Sequence, residues 1–83
     1  MRLTLGEVAG ATGGEVLAGD PARELASVSV DSRRIDAGGL FVALRAERDG
    51  HDFAAGAVAA GAAAVMVERP VAGLPSGVGV VRV

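Results

Sequence analysis

The densest run of chemistry-bearing side chains is Val30-Asp31-Ser32-Arg33-Arg34-Ile35. An alternating, partly apolar stretch ends there and delivers an acid, a hydroxyl and two guanidiniums in consecutive positions. A hydroxyl beside an arginine can hold a phosphate or the polar edge of a base, because the guanidinium offers a planar fork of donors. In open α/β sheets, ligands collect outside the carboxyl ends of strands, which is where this run falls. The competing reading is a solvated loop closed by an Asp–Arg pair, worth about 0–1 kcal/mol when exposed.

A second cluster gathers Arg45, Glu47, Arg48, Asp49, Gly50, His51 and Asp52. Taken as metal ligands, Asp49, His51 and Asp52 lack the spacing of a strong metal signature, and one His without Cys is a poor start. The plainer reading makes Asp49-Gly50 a turn and gives His51 or Asp52 the cap of the helix that follows. Free N–H groups at that helix start favour an anion over a cation. The chain contains no G-x-x-x-x-G-K-[ST], no G-x-G-x-x-G and one His only, so no P-loop, dinucleotide fingerprint or catalytic triad is expected. No catalytic residue and no metal site are assigned.

The elements that must position these residues follow from pattern. Thr4 and Glu7 have the spacing of a capping box, and Leu5, Val8 and Ala9 share a helical face. Gly13-Gly14 then supplies a left-handed stop, so the spacing predicts a helix over about 5–12. Glu15 to Ala18 reads as a short strand ended by Gly19-Asp20-Pro21. Leu25 to Val30 alternates with period two and reads as a half-buried strand. Asp31 to Gly39 is a loop, and Leu40 to Leu44 a buried strand. Arg45 to Gly50 is charged surface. Asp52 to Ala60 reads as an Ala-rich helix with Phe53, Ala57 and Ala60 on one face and Gly61 as its cap. Ala63 to Val67 is a buried strand, Glu68 to Gly77 a surface loop, and Val78 to Val83 a final strand. The fold class is therefore α/β: a small mixed sheet of about five strands with two helices, containing a right-handed βαβ unit at about 40–67.

Composition narrows the function classes. Eighty-three residues hold one domain and leave no room for a cleft between two. At 51% hydrophobic and 22% charged the chain is globular, and its apolar share is mostly Ala and Val, which lets layers approach closely. A net charge of −2 gives no electrostatic reason to expect nucleic acid or an anionic membrane as partner. All eight basic residues are Arg, which excludes a lysine nucleophile, a Schiff base and a P-loop lysine. Cys is absent, which removes disulfides and thiolate chemistry and fits a reducing compartment. No signal-peptide pattern opens the chain, and its longest uncharged stretch, 53–67, falls short of the ~20 residues a bilayer span needs. A cytoplasmic protein is expected.

Four motifs in order carry a resemblance: Asp31-Ser32-Arg33, Gly38-Gly39-Leu40-Phe41-Val42-Ala43-Leu44, Asp49-Gly50-His51-Asp52-Phe53, and Gly61-Ala62-Ala63-Ala64-Val65. Together they resemble the N-terminal domain of the Mur ligases, the amide-forming enzymes of peptidoglycan precursor synthesis. The opening Leu3-Thr4-Leu5 through Gly13-Gly14 is most similar to the MurF branch, and the MurE branch shares the second and first motifs. The resemblance implies that 1–83 is the UDP-substrate-binding N-terminal domain of a three-domain ligase, whose other domains bind ATP with Mg²⁺ and bring the incoming dipeptide. It implies a UDP-N-acetylmuramoyl-peptide and the rest of the ligase chain as partners, with no cofactor in this domain itself. It places Ser32 and Arg33 in the uridine-diphosphate site, Asp31 holding the loop and Arg45 on the next loop. Asp49, Gly50 and His51 become structural or ligand-edge positions. The chain departs from the family pattern at Gly39, where Asp is frequent, and at Ala46, where Gly is frequent. The alternatives are a MurE-type domain and a free-standing, non-catalytic interaction module of the same fold.

Overall fold

The computed structural model describes residues 3–31, 33–43, 53–69, 71 and 73–83. In chain order these form β1 (Leu3–Thr4), α1 (Leu5–Thr12), β2 (Glu15–Ala18), β3 (Glu24–Leu25), β4 (Val28–Ser29), β5 (Leu40–Val42), α2 (Ala54–Ala59), β6 (Ala64–Val67) and β7 (Gly79–Arg82).

α1 begins where its capping box begins. The Glu7 N–H donates to Thr4 Oγ1 at 3.1 Å, and the Thr4 N–H donates to Glu7 Oε1 at 2.9 Å. Two further first-turn donors find backbone partners in the next turn: the Leu5 N–H reaches Arg23 O at 3.0 Å, and the Gly6 N–H reaches Pro21 O at 2.8 Å. Few donors of the first turn are therefore left to water, which is the usual cost of a helix start. Gly13, at φ +70°, ends the helix in the left-handed region that residues with a Cβ enter only at a cost.

The main sheet has five strands in the order β2-β7-β6-β5-β4. β4, β5, β6 and β7 run parallel, and β2 closes the β7 edge antiparallel. β5, α2 and β6 form the βαβ unit expected from the sequence. One helix covers each face, and strand alternation sorts the core accordingly. Leu40, Ala64 and Val81 join Leu5, Val8 and Ala9 on the α1 side. Phe41, Val65 and Val67 join Ala54 and Ala57 on the α2 side. Leu5, Leu40, Phe41, Val65, Val67 and Val81 are the largest side chains almost wholly removed from water. Helix α1 sits close because Gly79 has no side chain: a Cβ there would lie 2.7 Å from Leu5 Cδ2.

Three expectations change. The run 25–30 is not one strand. Glu24–Leu25 pairs antiparallel with β1 in a separate two-stranded ribbon, whereas Val28–Ser29 pairs parallel with β5. Period-two alternation reports extended backbone and says nothing of the partner, and here the partner changes at Ala26-Ser27. The buried face of α2 is Ala54 and Ala57, with Phe53 38% exposed and Ala60 exposed. At six residues α2 makes fewer than two turns, and its inward face is Ala54 and Ala57 with Val58 partly buried beside them. The helix also starts at Ala54, with Phe53 in the capping position and no side-chain cap bond. Finally, the loop 68–77 is not all surface: Val71 and Leu74 pack, partly buried, against the α2-side core.

Candidate functional site

The site is built on the carboxyl end of β4. Only Val28 and Ser29 pair with β5, opposite Leu40 and Phe41, so the chain leaves the ladder immediately before Asp31. A side chain takes over from the ladder. Ser29 Oγ accepts from the Asp31 N–H at 3.1 Å and donates to Asp31 O at 3.2 Å. Asp31 in turn organises the residues after it. Its Oδ1 accepts from the Arg33 N–H at 2.9 Å, an Asx turn, and its carbonyl accepts from the Arg34 N–H at 3.0 Å.

The Asp31 carboxylate also grips the Arg33 guanidinium from the side. Nε donates to Oδ1 at 3.1 Å and Nη2 donates to Oδ2 at 3.3 Å. Arg34 Nε stands 3.9 Å from Oδ2. The Arg33 side chain is 88% exposed and that of Arg34 85%, against 32% for Asp31. The hydrogen bond from the Arg33 side chain holds the Asp31 carboxyl below the usual aspartate range; the Arg33 backbone N–H and the charges of Arg33 and Arg34 add to this, and slight desolvation opposes it. Arg33 is pushed up in turn, chiefly by its hydrogen bond to Asp31. A guanidinium has five N–H donors, and this grip engages two. The outward edge, Nη1 and the free side of Nη2, remains a fork for an anion.

Asp31 and Arg33 are thus paired in an exposed loop, the geometry of the competing reading given for this run. Ser32, Arg45, Asp49, Gly50 and His51 lie outside the described residues. One neighbour was missed by sequence reasoning. Ser29 counted only as one position in an alternating strand, although Ser two residues before Asp is a spacing at which a hydroxyl bonds the backbone. Val30, 62% exposed beside Asp31, offers an apolar surface next to the charged pair. Elsewhere, a shallow groove of about 360 Å³ is lined by Gly13, Gly14, Glu15, Arg82 and Val83. It lies at β7, separated from β4 by β6 and β5. Among the described residues, no three His, Asp or Glu side chains gather to hold a metal ion.

Residues 24–80 match the model of the family described as "Mur ligase family, catalytic domain". The chain belongs to the Mur ligase family. It is 48% identical over 82 residues to the UDP-N-acetylmuramoyl-tripeptide–D-alanyl-D-alanine ligase of Mycobacterium tuberculosis H37Rv, which covers 92% of this chain and 16% of that one. It is 50% identical over 48 residues to the UDP-N-acetylmuramoyl-L-alanyl-D-glutamate–2,6-diaminopimelate ligase of Geobacillus kaustophilus, covering 57% of this chain and 10% of that one. Among solved structures, MurF from Acinetobacter baumannii superposes with a TM-score of 0.86 at 30% identity, over 100% of this chain and 18% of that one. The chain therefore spans about a sixth of the length of the MurF-type ligases it resembles most broadly. The Mur ligase fold is the one described above, and likeness to MurF extends along more of the chain than likeness to the diaminopimelate-adding ligase.

Proposed function

We propose that these 83 residues are the part of a MurF-type ligase that holds the UDP end of UDP-N-acetylmuramoyl-tripeptide. One observation carries the reading: an almost fully exposed Arg33 guanidinium is clamped by Asp31 at the carboxyl end of a parallel strand, and among the described residues no other group bonds its outer fork. A diphosphate supplies the paired anionic oxygens that such a fork fits. Val30 adds an apolar surface for the flat face of a base. The names of the broadest relatives supply the substrate class.

On this reading the remainder of the ligase joins D-alanyl-D-alanine to the held substrate. ATP and Mg²⁺ belong to that remainder. The chain here has no lysine and no P-loop sequence, so its residues do not fit a nucleotide triphosphate site. The 83 residues alone turn over no ATP, whatever amine and acid are supplied. The working compartment is the cytoplasm, where UDP-linked precursors are made; no described helix is long and apolar enough to cross a membrane.

Calorimetric titration with UDP-N-acetylmuramoyl-tripeptide tests the reading. Charge-assisted hydrogen bonds are worth about 1.5–3 kcal/mol, so Arg33→Ala should weaken binding about 10- to 100-fold. Ser32→Ala should weaken it less. Unchanged affinity in Arg33→Ala, or no binding by the wild type, removes the site. The diaminopimelate-adding reading rests on the Geobacillus likeness. It predicts that the dipeptide-bearing nucleotide, and not the tripeptide, is consumed by the longer ligase that contains this chain.

A further inference from the structure

Ser29 sits at the last paired position of β4, in register with Phe41, which is 1% exposed. It is therefore the last residue tied to a rigid part of the sheet before the site begins. Beyond it, no strand pairing among the described residues holds Asp31, and the two bonds of the Ser29 hydroxyl stand in for the ladder. The connection then runs on without a gap: Ser29 hydroxyl to Asp31 backbone, Asp31 carboxylate to Arg33 N–H, and the same carboxylate to Arg33 Nε and Nη2.

We infer that Ser29 is a positioning residue of this site: its hydroxyl fixes the Asp31 backbone and thereby sets the direction in which the Arg33 guanidinium faces a phosphate. The inference rests on the reading above for its ligand, but not for the connection itself. A long arginine side chain free in water samples many rotamers, and each bond that removes alternatives lowers the entropy lost when an anion arrives. Ser29 touches no ligand in this scheme. Its effect reaches the phosphate only through Asp31.

The test compares Ser29→Val with Ser29→Thr in the 83-residue chain. The two side chains have nearly the same shape and differ in the hydroxyl. Two readouts are taken: UDP affinity by calorimetry, and the ¹H–¹⁵N resonance of Arg33 Nε at low temperature and mildly acid pH, assigned by its loss in Arg33→Lys. In the wild type the Nε–H should resonate apart from the solvated arginines and exchange slowly. Ser29→Val should merge it with them and weaken UDP binding about three- to tenfold, the worth of one hydrogen bond. Ser29→Thr should restore both. The backbone amide spectrum of β5 and β6 should be the same in all three. An unchanged Arg33 Nε resonance in Ser29→Val overturns the inference even if UDP affinity falls, because Ser29 would then act directly. Loss of the fold in either variant also overturns it, because the residue would then serve packing. If the wild type binds no UDP while the resonance behaves as described, the ligand reading fails and the positioning role stands.

Discussion

Asp31 carries its negative charge against two guanidiniums, and the consequence is readable in acid. Its carboxyl titrates below the ordinary aspartate range in the folded chain, first because Arg33 hydrogen-bonds the charged form. A lowered folded value stabilises the fold above the unfolded value, and that contribution is lost as pH falls through the folded one. The Tm difference between wild type and Asp31→Asn should therefore be present at neutral pH and shrink toward zero below the lowered midpoint. The same difference at both pH values would contradict the pairing. The effect should be small, because the pair is exposed and salt screens it. The Asp31–Arg33 pair was legible because two residues of separation let an aspartate fold back on the following backbone. Ser29 was not, because a serine in an alternating strand has no signature until one knows where the ladder stops.

At the scale of elements, α1 is the best-specified piece of the chain. Both halves of its capping box form, and its C-terminal glycine takes the left-handed conformation. Thr4→Ala should lower stability by about 1 kcal/mol in urea unfolding, and Thr4→Ser should restore most of it. Gly13→Ala should cost about as much, because alanine pays for the left-handed region that glycine enters freely. α2 is different. It is six residues long, and such a helix exists through packing rather than propensity. Its buried pair, Ala54 and Ala57, is small because the sheet lies close. Ala57→Leu should destabilise by about 1–3 kcal/mol through overpacking, whereas Ala55→Leu on the exposed side should change stability little. The Ala-rich pattern showed that a helix packs here. Which alanines face inward depended on where the helix begins, and it begins at Ala54, two residues later than the pattern suggested.

For the whole molecule, stability should total roughly 4–12 kcal/mol at this length. Single core positions are thus large fractions of it. Phe41 fills the α2 side of β5 and is 1% exposed, so Phe41→Ala should cost about 3–5 kcal/mol and leave a chain close to unfolding at 37 °C. By contrast, Arg82 and Glu15 face each other across the β2–β7 pair at 3.5 Å and are half exposed or more. Arg82→Ala should change the unfolding free energy from urea titration by no more than about 0.5 kcal/mol. A third position tests the close approach of β2 to β7. Gly19 lies at φ +94°, and a Cβ there would come within 2.6 Å of Gly79 Cα. Gly19→Ala should destabilise more than Gly13→Ala, because it meets backbone as well as strain.

Pattern along the chain was enough for the helix α1 with both its ends, the buried strands β5 and β6, the βαβ unit between them, and the polar run in which Asp31 and Arg33 meet. These are local: capping, period and turn chemistry act within a few residues, so their signals sit next to one another in the chain. Tertiary structure decided which strand pairs with which, and so divided 24–29 between a ribbon and the edge of the main sheet. It decided that this edge ends at Ser29, and hence that a serine hydroxyl rather than a strand partner holds Asp31. Strand order brings together residues far apart in sequence, and their hydrogen bonds are to generic backbone groups. No side-chain pattern announces which generic group will be the partner, so the position of the Arg33 fork had to come from the fold.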